Sequence, residues 1–420
     1  MTLHRQAAGL TVMHAAEVIQ PLLILPYAGN VLGPTAFGRY AYILALTQIA
    51  SVIVDYGFTL TARRAAAPAR HDPIVIRSLL AEIVAAKGIL CLGVAVVALI
   101  AESFSSAIDM PTFICIMLSA LGAMLFPSWL FLGLERPWQA AIPVVAARAL
   151  ALVAFVALVH SPSEAGLAAA IQSAIPLACA IISLPYVLAI GMGGFRSLSL
   201  RGVIKQLQDG WSGFVSWLAQ CIVVILPVPL VQQIGGFAAV GQYTVAERLI
   251  SAARPIFGIL QQTLMPRVAY LASHNPAQGL VLIWNSLWTL IIAVAMSLAL
   301  YFIGPYVVIF LFGPEYTQAI TLVRAMCILP ILMDLRICMA DLYMFNYGYE
   351  KAWTLLAVLS LVGFLFAVYA LSYWTDGAMA VAIGSVIGEG IAAVASTVFF
   401  LVSVFLRTRA ALRTTGAADA

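Results

Sequence analysis

The stretch Gly236-Phe-Ala-Ala-Val-Gly-Gln-Tyr243, and the apolar run from Ala238 to Gln262 that it opens, decides the fold. The run is long enough to cross a bilayer, which takes about 20 residues, yet it carries Glu247, Arg248 and Arg254. A charge near the centre of a membrane helix costs about 2.5–3.5 kcal/mol on insertion scales, so such side chains face partners, water or cargo rather than lipid. The opening residues also echo Gly33-Pro-Thr-Ala-Phe-Gly-Arg-Tyr40 at an offset of 203. A polar interior and a chain built twice over are the two expectations that follow.

Composition agrees. With 63% hydrophobic and 9% charged residues and a mean hydropathy of +1.04, the chain cannot be a soluble globule, which carries about 25% charged residues. It reads as an all-α integral membrane protein with no loop long enough for a soluble domain. The six cysteines lie inside apolar segments without metal-ligand spacing and read as small buried hydrophobes. No Gly-x-x-x-x-Gly-Lys-Ser/Thr loop, Cys/His cluster or nucleophile elbow is present, so no cofactor, ATP chemistry or hydrolytic centre is expected. No nucleic-acid partner is expected either.

Windows of apolar character place twelve spans, at 8–28, 38–60, 78–101, 111–132, 139–159, 165–190, 211–232, 238–262, 281–303, 318–343, 353–373 and 378–406. The first runs longer than a signal-peptide core and is expected to stay as a membrane helix. Loops after even-numbered spans, with the termini, hold fourteen Lys and Arg, including Arg63, Arg64, Arg201 and Lys205; the opposite loops hold none. That asymmetry places both termini in the cytoplasm. The expected organisation is a six-helix bundle over 1–190, a cytoplasmic linker over 191–210, a second six-helix bundle over 211–406 and a tail over 407–420. Residues 304–317, too short in apolar length to cross, read as an elbow at the outer surface.

The two bundles match in corresponding loops. His71-Asp72-Pro73 answers to His274-Asn275-Pro276, again at 203, and Gly133-Leu-Glu-Arg-Pro-Trp138 answers to Gly348-Tyr-Glu-Lys-Ala-Trp353. An even number of crossings per half makes the repeats parallel, related by a pseudo-two-fold along the membrane normal, with a central cavity where cargo would bind.

Seven basic residues remain inside spans: Arg39, Lys87, Arg148, Arg248, Arg254, Arg324 and Arg336. Arg39 and Arg324, near outer span ends, are expected to snorkel to headgroups. Arg336 has Asp334 and Asp341 nearby and reads equally as a ligand or as part of an ion-pair network. Lys87 has Glu82 at a spacing poor for one helix face, which points to a partner elsewhere. Arg148 lies about 15 Å deep in its span, with no partner among Val145, Ala146, Ala147, Ala149 and Leu150. Arg254 is also central, and Glu247, seven residues earlier, can pair with it only if the helix bends. The candidates for binding an anionic substrate are therefore Arg148, Arg254, Arg248, Lys87 and Arg336; packing arginines satisfied by backbone carbonyls are the competing reading. Glu17, Glu389 and Asp55 are embedded acids that could couple transport to an H+ or Na+ gradient, or could simply neutralise the arginines. Glu389, set between Gly388 and Gly390, lets another helix approach closely.

Leu25-Pro-Tyr27, Val31-Leu-Gly-Pro34, Phe37-Gly-Arg-Tyr40, Asp55-Tyr-Gly-Phe58 and Leu311-Phe-Gly-Pro-Glu-Tyr316 resemble the bacterial polysaccharide-export flippases, the Wzx-type O-antigen and repeat-unit translocases of the multidrug/oligosaccharidyl-lipid/polysaccharide (MOP) superfamily. One departure is Asn30, where relatives often carry a basic residue. The resemblance implies a non-enzymatic transporter that moves an undecaprenyl-pyrophosphate-linked oligosaccharide from the inner to the outer leaflet. Its partners would be that lipid-linked substrate, membrane lipids and a repeat-unit polymerase. Two other readings stay open: a cation-coupled multidrug antiporter of the same superfamily, and a membrane glycan polymerase or ligase.

Overall fold

The computed structural model describes residues 3–70, 72–104, 108–190 and 199–416. Among these the chain is helical, with no strand. Hydrocarbon offers the backbone no hydrogen-bond partners, and a helix supplies them all within one segment. Two compact units form, Met1–Pro229 and Leu230–Ala420.

The first unit comprises α1 (Leu3–Asp55), α2 (Phe58–Ala66), α3 (Pro73–Phe104), α4 (Met110–Leu125), α5 (Ser128–Gly133), α6 (Pro137–Leu158), α7 (Ala165–Ser173), α8 (Ile175–Ala189) and α9 (Leu200–Ile225). Straight, the 53 residues of α1 would run about 80 Å, more than twice the hydrocarbon thickness. The chain turns instead at Gly33, whose φ of 68° and ψ of 171° lie outside the helical region. The first two expected spans therefore lie on either side of that glycine. A second corner follows at Tyr56 and Gly57, with φ of 49° and 73°. A tyrosine in the left-handed region costs about 1–2 kcal/mol; burial and a stack on Phe214 of α9, ring centroids 4.5 Å apart, hold it there. The core beneath this corner joins Phe58, Ile83, Trp129, Phe131, Val144 and Cys179 from α2, α3, α5, α6 and α8. Helix α9 occupies the second part of the 191–210 connection, whose residues 191–198 lie outside the described ones.

In chain order α10 (Pro227–Ser251) leads into the second unit, followed by α11 (Arg254–His274), α12 (Pro276–Ser286), α13 (Thr289–Phe302), α14 (Gly304–Phe312), α15 (Thr317–Met326), α16 (Leu329–Arg336), a π-helical segment Ile337–Met344, α17 (Glu350–Leu371) and α18 (Gly377–Gly416). The elbow expected over 304–317 is α14, then Gly313 at φ 91° and a 3-10 turn, Pro314–Tyr316. The π-helical segment supplies Met339, Leu342 and Tyr343 to a core that includes Val268, Ile283 and Phe400. Gly388 of α18 brings its carbonyl to the hydroxyl of Ser360, 2.7 Å, as the flanking glycines of Glu389 suggested.

The repeat is visible in the backbone. Gly236 has φ 75° and ψ −177°, matching Gly33. Helices α3 and α12 start at Pro73 and Pro276, capped by the side chains of Asp72 and Asn275. The third match holds in kind but not in register. The sequence pairs Gly133 with Gly348, whereas the left-handed residue that closes each turn is Glu135 in one unit and Gly348 in the other, at φ 57° and 80°. In both, the next amide donates back five residues, Arg136 N–H to Phe131 O and Tyr349 N–H to Met344 O, which is a Schellman closure. The identities slid by two residues while the turn stayed.

Eight helices among the described residues are long and apolar enough to cross a membrane, with α1 counted once over Ala8–Asp55. Three expected spans are not among them: 211–232 falls on α9 and the start of α10, which part at Leu226; 238–262 on α10 and α11, which part at the charged Glu247–Arg254 run; and 318–343 on α15, α16 and the π-helical segment, which break at Cys327–Ile328. Apolar side chains such as Leu92, Ile291 and Phe310 face outward, as lipid contact requires. Arg39 does not simply snorkel: its guanidinium bonds the carboxylate of Asp109, which caps α4. Burial pushes that carboxyl up, but the O–H and N–H of Thr112 and the Arg39 charge outweigh it and leave the group below its ordinary value. The residue at the Arg39 position of the second repeat, Gln242, accepts from the Ala319 N–H at 2.9 Å, again in the first turn of a helix. Arg324 lies 5.7 Å over the Tyr301 ring.

Close helix approach gives a test. A Cβ on Gly122 of α4 would sit 2.3 Å from the Leu177 backbone nitrogen of α8, whereas one on Gly258 of α11 would meet nothing within 4 Å. Gly122→Ala is expected to lower the melting temperature of the solubilised protein, losing about 1–3 kcal/mol to overpacking. Gly258→Ala should match the parent or exceed it, because alanine is the better helix former by about 1 kcal/mol.

Candidate functional site

Charges buried in apolar helices must be neutralised, hydrogen-bonded or hydrated. Sorting them by partner separates the residues committed to holding the fold from those with capacity left over. In the first unit Lys87 of α3 is fully buried, and its ammonium bonds Asp55 at 2.9 Å and the Ala123 carbonyl at 3.0 Å. Thr59 donates to the same carboxylate at 2.9 Å. The partner sought for Lys87 is therefore Asp55, at the end of α1, and the two sum to zero charge.

Arg148 of α6 is different. Its Nη1 donates to Gln20 Oε1 of α1 at 3.0 Å, and Gln20 Nε2 donates to Gln172 Oε1 of α7, also at 3.0 Å. No carboxylate lies within ion-pair distance of Arg148 among the described residues. Its Nε, and the Nε2 of Gln172, are buried without partners. One turn before Gln20, Glu17 accepts from His14 across 3.0 Å, on an exposed part of α1. The guanidinium is thus held by an amide, with no carboxylate in ion-pair contact among the described residues.

In the second unit Glu247 is shared. Arg254 Nη2 approaches it to 3.6 Å, Arg248 Nε to 3.8 Å, and the Ser251 hydroxyl donates to it. The bend needed for an Arg254 contact is real, since α10 ends at Ser251 and α11 begins at Arg254. Both arginines are well exposed, at 39% and 49%, and long ion pairs in such settings are worth little. Two guanidiniums over one carboxylate leave a net positive patch.

Arg336 has the opposite balance. Its Nε donates to Glu389 at 3.0 Å and its Nη1 to Asp341 at 3.2 Å, while Trp353 Nε1 donates to Asp341 at 2.9 Å. Glu389 and Arg336 thus meet each other, two acids around one base, where the π-helical segment begins. Nearby in sequence, Asp334 is buried and, among the described residues, accepts only from the Thr289 hydroxyl, at 2.8 and 2.9 Å. Gln172, Thr289 and this isolation of Asp334 were missed by the sequence reading. An amide inside an apolar span was the available signal for Gln172; nothing local marks which helix it meets.

The pairing of Lys87 with Asp55 can be tested on stability alone. Lys87→Met leaves the carboxylate without its cation and is expected to cost about 3–5 kcal/mol, read as a lower melting temperature in detergent. Adding Asp55→Asn should recover a good part of the loss; a double variant no better than the single one would contradict the pairing.

Comparison with known proteins comes from three directions. A family model described as "Polysaccharide biosynthesis protein" matches residues 3–272. A protein of Escherichia coli strain K12 named "Putative O-antigen transporter" is 27% identical over 358 residues, 84% of this chain and 85% of that one. A protein of the same name from Shigella dysenteriae is 26% identical over 374 residues, covering 87% and 92%. Among solved structures, an inward-facing multidrug resistance MATE family transporter of the MOP superfamily overlays with a TM-score of 0.73 at 14% identity, covering 95% of this chain and 99% of that one. A MOP superfamily transporter from Pyrococcus furiosus overlays at 0.57 and 15% identity, covering 95% and 94%. At such identities the structural likeness is one of fold.

Proposed function

Because the chain belongs to the polysaccharide biosynthesis protein family, we propose that it is a flippase. It carries an undecaprenyl-pyrophosphate-linked oligosaccharide from the inner to the outer leaflet of the bacterial cytoplasmic membrane, by alternating access and without chemical conversion of the substrate. The observation that carries the reading is Arg148: a guanidinium set in an apolar helix, tied to Gln20 and facing no carboxylate. Arginine holds phosphate oxygens with two donors at once, which suits a pyrophosphate headgroup. Arg254 and Arg248, sharing Glu247, supply the second cationic contact. The lipid tail stays in the membrane while the headgroup passes. The O-antigen transporter names of the relatives from E. coli and Shigella dysenteriae support this substrate class.

Coupling to a gradient needs a carboxyl that can exchange its proton. Asp55 and Glu389 hold Lys87 and Arg336, and Glu17 meets His14. Among the described residues Asp334 has one hydrogen-bond partner, Thr289, whose hydroxyl carries one hydrogen and also lies 2.9 Å from the Ser286 carbonyl. A protonated Asp334 donates to Thr289 and frees that hydrogen for Ser286; an ionised one takes it. Proton loss and gain at Asp334 is therefore the coupling step in this reading, with periplasmic polymerisation of the delivered unit by a separate enzyme.

In cells lacking their own exporter, Arg148→Ala and Arg254→Ala, expressed at parental levels, are expected to lose most surface polysaccharide, by about tenfold or more for each charge-assisted bond removed. Full export by both would remove the headgroup role, and a gain or loss of resistance to cationic drugs in its place would favour antiport. Asp334→Asn should retain substrate binding but make export insensitive to collapse of the proton gradient by an uncoupler.

A further inference from the structure

Three side chains from three helices of the first unit form a one-way relay. Arginine only donates, so Arg148 obliges Gln20 to present its oxygen. Gln20 must then turn its amide nitrogen to Gln172, and Gln172 must answer with its own oxygen. The Gln172 nitrogen is thereby turned away from the relay, and it is buried without a partner among the described residues, as is the Arg148 Nε. The orphans at both ends of the relay are donors.

A water could meet the hydrogen-bond need of these donors but not the charge. Water that accepts from the two donors brings no charge, so the guanidinium would stay without a counter-ion. An oxyanion needs acceptors from nobody. It also cancels a guanidinium that no carboxylate neutralises. The two orphan donors stand at the ends of this relay, joined through two hydrogen bonds of 3.0 Å and the Gln20 amide between them.

We propose that Arg148 Nε and Gln172 Nε2 form an oxyanion subsite for a phosphate or diphosphate group, with Gln20 as the positioning residue that aims both. This rests on the flippase reading and adds to it a second ligand, Gln172, and a direction for the first. Gln20 touches no substrate here; it fixes which atoms of its neighbours remain free.

The test titrates full-length protein in nanodiscs with undecaprenyl pyrophosphate in the bilayer and, separately, with inorganic pyrophosphate in buffer. Saturable binding of either probe is expected, and saturation by the lipid probe alone identifies the lipid headgroup as the source of the phosphate. Gln172→Glu, which swaps the free donor for an acceptor without changing shape, should weaken binding by about tenfold or more, as should Gln172→Leu. Gln20→Glu, which puts a carboxylate against Arg148, should do the same, at a melting temperature within the parental range. Either Gln172 variant suffices if the other folds poorly. Parental binding by both Gln172 variants, with binding lost in Arg148→Ala, would overturn the subsite and leave the flippase reading intact. Parental binding by Arg148→Ala as well would overturn both, and no saturable binding of either probe by the parent would overturn the subsite.

Discussion

A charge inside hydrocarbon has to be answered, and the way each one is answered organises this protein. The cost of leaving an ion unpaired in an apolar medium exceeds what any single packing contact returns. Lys87 is accordingly sealed against Asp55 and a backbone carbonyl, and Arg336 is clasped by Glu389 and Asp341. These pairs tie α1 to α3 and α18 to α16 in helices whose sides otherwise offer only dispersion contacts. Once the pairs are set aside, what stays cationic inside the spans is Arg148 in one unit and, in the other, the Arg248–Arg254 pair and Arg324, which lies over the Tyr301 ring. Transport function is read from that remainder rather than from the total of basic residues.

Around those charges the backbone does the same job twice. Gly33 and Gly236 leave the helical region at matching places, and Glu135 and Gly348 close matching turns in the left-handed region. Positive φ at the first pair asks for glycine, which has no Cβ to clash. At the second pair one repeat uses glycine and the other accepts a glutamate whose carboxylate receives Arg70 at 3.0 Å. The turn is therefore kept by geometry while its residues drift, which is why the match in sequence slips by two. Arg39 and Gln242 show the same separation of role from chemistry: an ion pair to a capping aspartate in one repeat, an amide to a backbone N–H in the other, each holding the start of a later helix.

Several features were plain in the residues alone. Hydropathy established an all-helical membrane protein, because only helices satisfy their own backbone in lipid at this composition. The offset of 203 located the doubled turns at Gly33 and Gly236, since a requirement for positive φ leaves a glycine behind. Family membership was legible from short motifs such as Asp55-Tyr-Gly-Phe58, which the structure explains as a strained corner. Charged residues inside apolar runs were also legible, because a charged letter there is hard to miss, although Asp334 stood out only as a neighbour of Arg336.

Which charge meets which was decided only in three dimensions. Asp55 and Lys87 are 32 residues apart, Arg336 and Glu389 are 53, and Gln20 and Gln172 are 152. Helix periodicity relates residues three or four apart and is silent at such distances. Composition could say that Arg148, Lys87 and Arg336 were alike in being buried and basic. Only the packing of α1 against α6 and α7, and of α16 against α18, separates an arginine with donors to spare from cations whose charge is already spoken for. The proposed anion binding depends on that difference, because an anion is drawn to unsatisfied donors and uncancelled charge, and both are properties of neighbours rather than of the residue itself.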